Sequence, residues 1–207
     1  MPVDLQLRTL GQTEYLATWQ AMQAFTLARQ ADTADELWLT SHPPVYTLGQ
    51  AGLDSHLLQH NGIPLVRTDR GGQITYHGPG QIIAYLMIDL PRRGYGVREL
   101  VHRMEQSVIM LLAEHGIAGV RRESAPGVYV DGRKIASLGL RVRHGRSYHG
   151  LALNTDMDLQ PFSAINPCGY AGMAVTQLRD LADNVTIETT QSQLAGLLVQ
   201  NIGQSTT

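Results

Sequence analysis

The sequence predicts an α+β domain in which a mixed, largely antiparallel sheet is flanked by helices. Three observations carry this expectation. Twenty-one glycines punctuate the chain, most beside short apolar runs, the usual mark of turns between strands. An Asp-Gly pair at 131–132 and a His-Gly pair at 144–145 sit between runs of β-type residues, as in tight hairpins. Helical periodicity is confined to three segments, one near each end and one between them.

The elements follow in chain order. Residues 13–29 predict a helix whose buried face is Leu16, Trp19, Met22 and Phe25, with Thr13 as N-cap. Strands are expected at 36–40, 44–49, 64–68 and 81–89. Residues 97–115 give the clearest amphipathic helix: Val97, Val101, Met104, Val108, Leu111 and Leu112 share a face, and Gly116 stops it. The two hairpin signals make 126–155 a three-stranded meander. Two-residue turns set Lys134 opposite Tyr129, Leu140 opposite His149, Leu138 opposite Leu151 and Ala136 opposite Leu153, so that leucines share a face. A last helix spans about 191–202, and residues 203–207 are expected to fray. No linker or repeat divides the chain, so residues 1–207 form one domain.

Composition excludes several classes. With 43% hydrophobic and 16% charged residues and a net charge of -2, the chain is neither disordered nor built for nucleic acid. One cysteine makes no internal disulfide, which suits a reducing compartment. The first ten residues resemble no signal or transit peptide, and the apolar run at 81–90 is about half of the ~20 residues a membrane helix needs. A cytoplasmic protein without membrane contact is expected. The eight histidines show no HxH spacing, the one HxxxH pair, His56 and His60, has no further ligand type nearby in sequence except Asp54, and one cysteine cannot make CxxC, so no metal is expected.

Of sixteen Lys and Arg residues, Lys134 is the only lysine. Strand alternation sets it in register with the core face, among Ala136, Leu138, Leu140 and Val142. Lysine can give and take a proton where arginine stays charged, so a lone lysine in an arginine-rich chain is a candidate acid or base. The alternative is an amine that reaches back to water. Cys168 lies in "INPCGY", among loop formers; a cysteine entering a helix beside a cation gains thiolate character, whereas a buried one is inert. A papain-like pairing with His77 or His149 as base is also open on composition. The segment "RGGQITYHGPG" at 70–80 lacks the P-loop ending; its glycines suit close backbone approach to a ligand, or a plain turn.

Four blocks taken together, "RGGQITYHGPGQ", "DGRKIASLGLRV", "YHGLALN" and "INPCGY", resemble the lipoyl(octanoyl) transferase family of lipoate biosynthesis. The resemblance implies a fold similar to the biotin/lipoate protein ligase catalytic domain. It implies an acyltransferase that needs no cofactor, with Cys168 as nucleophile and Lys134 as its acid/base partner. The implied donor is octanoyl-acyl carrier protein. The implied acceptors are lysines of lipoyl domains of 2-oxoacid dehydrogenases and of the glycine cleavage H protein. The implied acyl-binding residues are Arg70, Gly71, Gly72, Gln73, Ile74, Thr75, Tyr76 and His77, then Ser137, Leu138 and Gly139, then Gly150, Leu151 and Ala152. Ile82 and Leu151 are expected in an apolar channel, and backbone N–H groups near Gly78 or Cys168 as oxyanion donors. Arg92, Arg93, Arg98 and Arg103, with Arg141, Arg143 and Arg146, form the expected docking cluster for acidic partners. A monomer is expected. An ATP-dependent lipoate ligase of the same fold, which would not need Cys168, and a non-catalytic acyl-binding module are the competing readings.

Overall fold

The computed structural model describes residues 5–123, 125–170 and 172–203, apart from the side chain of Cys168. Among the described residues ten strands form two sheets, accompanied by four α-helices. The strands are β1 (Leu5–Gln12), β2 (Asp35–Ser41), β3 (Val45–Leu48), β4 (Leu65–Arg67), β5 (Ile74–His77), β6 (Gln81–Met87), β7 (Val120–Arg121), β8 (Gly127–Val130), β9 (Arg133–Arg143) and β10 (Arg146–Asn154). The helices are α1 (Tyr15–Ala28), α2 (Leu90–Arg93), α3 (Val97–Glu114) and α4 (Ile187–Gly203). The large sheet runs β1-β2-β6-β10-β9-β8-β7, and the small one β4-β3-β5. Only β1–β2 and β3–β4 pair in parallel, so the expected mixed, largely antiparallel sheet is what forms.

β6 shows how the core is built. Its seven residues are all buried, because alternate side chains enter different layers. Ile82, Ala84 and Leu86 join Leu37, Leu39, Leu151 and Leu153 under α3 and α4. Ile83, Tyr85 and Met87 face the opposite way, with Trp38, Tyr148 and Met22 of α1. A third cluster, including Tyr46, Tyr76 and Phe162, fills the space beside the small sheet.

The meander matches its expected register. β9 and β10 pair Leu140 with His149, Leu138 with Leu151 and Ala136 with Leu153. β8 and β9 pair Tyr129 with Lys134. Asp131 (φ 48) and Gly132 (φ 79) both take the left-handed conformation, as their two-residue turn requires.

Other expectations are corrected. α1 buries Tyr15, Thr18, Met22 and Thr26, while Leu16 is half exposed. Met22, Trp19 and Phe25 of the expected face do pack inward against Trp38 and its neighbours, but the polar Tyr15, Thr18 and Thr26 are buried on that side too, which hydropathy does not show. Thr13 does not cap it; Glu14 holds that position, and the Thr13 hydroxyl meets those of Thr40 and Thr18 at 2.7 and 2.8 Å. Val97 is exposed and Leu100 is buried in its place on α3. β1 and β5 were not expected as strands. Gly203 ends α4, and residues 204–207 lie outside the described residues.

The arginine cluster is partly internal: Arg93 and Arg103 are buried, and Arg92, Arg141 and Arg146 are half-buried. Arg29, Arg92 and Arg93 converge on the fully buried Asp35 carboxylate at 2.5, 2.7 and 2.6 Å. Together they tie the end of α1, the start of β2 and α2. Arg103 pairs with Glu99 at 2.7 Å and donates to the Asn201 carbonyl, and Arg146 pairs with Asp89 at 3.4 Å. Of the seven, only Arg98 and Arg143 are fully in solvent.

Candidate active site

Lys134 is 1% exposed. Its ammonium donates to the Pro126 carbonyl at 2.9 Å and lies 5.3 Å from the Tyr129 ring centroid. Gly127 makes the room: a Cβ there would lie 2.5 Å from Lys134 Cε, and its φ of 145° suits only glycine. The amine therefore does not reach back to water.

The backbone of Lys134 joins the cysteine segment to the sheet. Its N–H donates to the Ala174 carbonyl and its carbonyl accepts from the Thr176 N–H, each at 2.9 Å, forming a parallel bridge to Val175. Six residues before Ala174 lies Cys168, inside one 3₁₀ turn, Pro167–Gly169. This agrees with the expected tight loop; Tyr170, which caps the turn, is extended, so no long helix dipole acts on the cysteine. The Asn166 N–H donates to the His56 carbonyl at 2.9 Å, and a Cβ on Gly169 would lie 3.2 Å from Gln73 Cγ. The cysteine turn thus rests on the glycine-rich segment. The Cys168 side chain lies outside the described atoms.

Beside this junction is a pocket enclosing about 500 Å³ of space, including its open mouth. It lies between β5 and strands β6, β9 and β10. Arg70, Gly72, Gln73, Ile74, Thr75 and His77 line one wall. Ser137, Leu138 and Gly139 line another, opposite their cross-strand partners Ala152, Leu151 and Gly150. Three segments distant in sequence therefore face one space. Gly150 permits the close approach of β6: a Cβ there would lie 1.9 Å from the Ala84 carbonyl oxygen. Arg70 winds its own loop around a buried guanidinium, donating to the Gly71, Gln73 and Thr47 carbonyls at 2.9, 2.8 and 2.6 Å.

Four expected residues do not line this pocket. Tyr76 alternates to the other face of β5, where it packs on Tyr46 and Phe162. Gly71 bonds the Leu140 carbonyl at 2.8 Å and lines the neighbouring groove. Ile82 points into the α3–α4 core, and Ile83 lines the pocket instead. Gly78 is not among the lining residues. Tyr15 and Tyr85 were missed; the alternation of β6 sets Tyr85 beside Ile83, but only the tertiary structure shows which face meets the pocket.

Several titratable rings in and behind the pocket wall are buried and uncharged. Burial, with help from nearby His42, lowers the His77 pKa to about 3. Its Nδ1 donates to Gln81 Oε1 at 2.8 Å, and its ring stacks on Tyr15. Burial likewise lowers His42, whose Nε2 is 2.7 Å from the Tyr85 hydroxyl, and raises Tyr85 and Tyr15. Burial also lowers His149, although Asp69 pulls it up. Asp69 collects donors from Trp19 (2.8 Å), Gln23 (3.1 Å), His149 (2.9 Å) and Tyr148. Burial opposes its ionisation, but the bonds from His149, Tyr148 and Gln23 outweigh that and hold the carboxyl well below its usual range. His149 keeps a left-handed φ of 62° inside β10, a strained conformation that this bond helps to fix. Rings held uncharged by burial, with His42 and Tyr85 bonded to each other and His77 to Gln81, let polar residues wall a space for an uncharged chain. A histidine held neutral to about pH 3 is also a poor proton acceptor, which disfavours His77 as a papain-like base.

Among the described residues no group of three His, Cys, Asp or Glu side chains is placed to hold a metal ion. No helix among them is long and apolar enough to cross a membrane.

A family model described as the lipoyl protein ligase A/B catalytic domain matches residues 14–198. An octanoyltransferase of Thiobacillus denitrificans is 63% identical over 199 residues, covering 96% of this chain and 91% of that protein. An octanoyltransferase of Stutzerimonas stutzeri is 58% identical over 203 residues, covering 98% and 93%. Among solved structures, a bipartite lipoate protein ligase of Thermoplasma acidophilum aligns with a TM-score of 0.75 and 18% identity, over 96% of this chain and 84% of that one. That last likeness concerns the fold.

Proposed function

The chain belongs to the lipoyl protein ligase A/B catalytic family, and from that membership we propose that it is an octanoyltransferase of protein lipoylation that works through an acyl-Cys168 thioester with Lys134 as acid and base. The octanoyl-transfer activity rests on the full-length likeness to octanoyltransferases. The residue roles are supported by one observation: the backbone of Lys134, whose ammonium is buried on the Pro126 carbonyl, is bonded to the cysteine segment, and that segment's Gly169 closes on Gln73 of the pocket wall.

The donor is octanoyl-acyl carrier protein. Its chain enters the pocket lined by Ile83, Leu138 and Leu151. Each buried CH₂ contributes ~0.8 kcal/mol, so the chain dominates donor affinity. The Cys168 thiolate attacks the thioester carbonyl, a new C–S bond forms, and the carrier's C–S bond breaks. The leaving thiolate takes a proton from the Lys134 ammonium. An acceptor lysine on a lipoyl domain then attacks the octanoyl-Cys168 carbonyl. The C–N bond forms, the C–S bond breaks, and the proton lost by the acceptor amine goes to Lys134. Arginine could not complete this cycle, because it does not release its proton. The acceptors are lipoyl domains of 2-oxoacid dehydrogenases and the glycine cleavage H protein. All the named groups lie on one chain, so a monomer suffices, and its place is the cytoplasm.

The test is intact-mass analysis after exposure to octanoyl-acyl carrier protein alone. One octanoyl group should appear on the enzyme, released by hydroxylamine and absent from Cys168→Ser and Cys168→Ala. An adduct that persists in Cys168→Ala would place the nucleophile elsewhere. Transfer that requires free octanoate and ATP would favour the ligase reading.

A further inference from the structure

The acyl pocket shares a wall with a second groove. Gly72, Gln73, Leu138 and Gly139 face both spaces. From that wall the groove runs past Leu140 of β9 and Pro126 to Val97 and Val101 of α3, with Tyr170 on its border. Its sides are mainly apolar. Both residues assigned to acyl transfer border the junction: the Pro126 carbonyl receives the Lys134 ammonium at 2.9 Å, and Tyr170 follows Cys168 by two residues.

A thioester carbonyl carbon carries two arms, its alkyl chain and its sulfur substituent. With the chain in the first pocket, the sulfur arm must leave the same junction by another route. We propose that the groove between β9 and α3 holds the pantetheine arm of the donor thioester. This rests on the acyl-Cys168 reading above. The arm is slender, uncharged along its length and methyl-branched, which suits apolar walls bounded by glycine backbone. It ends on a phosphate of an acidic carrier, and the exposed Arg98 adjoins Val97 at the outer end. An acceptor lysine carries only an unbranched four-carbon stem ending in a charge, which matches these apolar walls less well than the branched, uncharged arm. Once the thiol has left, the inner part of the same groove is where the acceptor amine meets the acyl-enzyme.

The experiment compares two donors of the same acyl group: S-octanoylpantetheine and the octanoyl thioester of N-acetylcysteamine, which lacks the methyl-branched part of the arm. Loading is followed by intact mass at donor concentrations below saturation. The wild-type chain should prefer the longer arm by about tenfold, the effect expected of two buried methyl groups. Val101→Trp, which fills the groove, should reduce that preference to near unity. Val97→Trp sits at the exposed outer end, where substitution spares the fold, and should lower it by at least about threefold. An unchanged preference in both variants would overturn the proposal. So would a defect confined to transfer from preloaded octanoyl-enzyme to a lipoyl domain, which would give the groove to the acceptor. If neither donor loads the wild-type chain, the acyl-Cys168 reading itself fails, and this inference falls with it.

Discussion

Lowering the pH should destabilise this protein well before its carboxylates titrate, and His77 allows the size to be worked out. Its folded pKa is lowered to about 3 by burial and by His42, against an ordinary value of 6.5. The unfolded chain therefore binds the proton first, and unfolding takes up a proton between those two values. The contribution is whole above about pH 6.5 and is lost as pH falls toward about 3. At ~1.4 kcal/mol per pH unit, His77 alone removes about 2 kcal/mol between pH 8 and pH 5. That is a large share of an ordinary ~5–15 kcal/mol. His42 and His149 are lowered by burial too and add losses of the same sign. Asp69 does not compete in this window, because its carboxyl is held well below its usual range and its own contribution fails only in stronger acid. Urea unfolding followed by tryptophan fluorescence at pH 8, 6.5 and 5 measures the slope directly. His77→Gln can keep a polar contact to Gln81 and should lose about 2 kcal/mol less than the parent over that range. Comparing slopes removes any constant cost of the substitution. Equal slopes in parent and variant would show that folded His77 takes up its proton near the ordinary value, and the account of a neutral pocket wall would be wrong.

Lys134→Arg should keep part of the acyl loading yet slow transfer to the lipoyl domain by at least about a hundredfold, the lower range of a lost general base. Single-turnover measurement of each half-reaction checks this, and near-normal transfer would show that positive charge alone suffices. The tight fit of Lys134 Cε against Gly127 makes some loss of loading expected as well. Ile83→Ala should enlarge the pocket and raise the preference for decanoyl over octanoyl donors by about fourfold per added methylene; an unchanged ratio would put the chain end elsewhere. Asp35→Ala should destabilise the fold by about 3–5 kcal/mol, because Arg29 and Arg93 would be left buried without their carboxylate. The same network means that charge reversal at Arg92 should lower stability first, so Arg98 and Arg143 are the positions at which to seek weaker carrier docking by KM.

The sequence by itself determined what depends on near neighbours. The Asp131-Gly132 turn set Tyr129 opposite Lys134, and the His144-Gly145 turn with strand alternation set the pairing of Ser137, Leu138 and Gly139 with Ala152, Leu151 and Gly150. The four motif blocks pointed to the family. What alternation does not say is which layer each face of a doubly buried strand meets. Ile82 and Ile83 are both apolar and both buried, and only the packing of α3 and α4 on one side and of α1 and β5 on the other assigns the pocket to Ile83. The same limit moved Tyr76 out of the site and brought Tyr15 and Tyr85 to it. Hydropathy placed Met22, Trp19 and Phe25 of α1 inward but left out Tyr15, Thr18 and Thr26, because polar side chains buried on a helix carry no hydropathy signal. The arginines show the long-range case: Arg92 and Arg93 read as a surface cluster, yet their partner Asp35 lies more than fifty residues earlier. A charge pair of that separation leaves no local periodicity. Only the fold, by closing α2 onto β2, decides that Arg93 is buried and that both cations pair with Asp35.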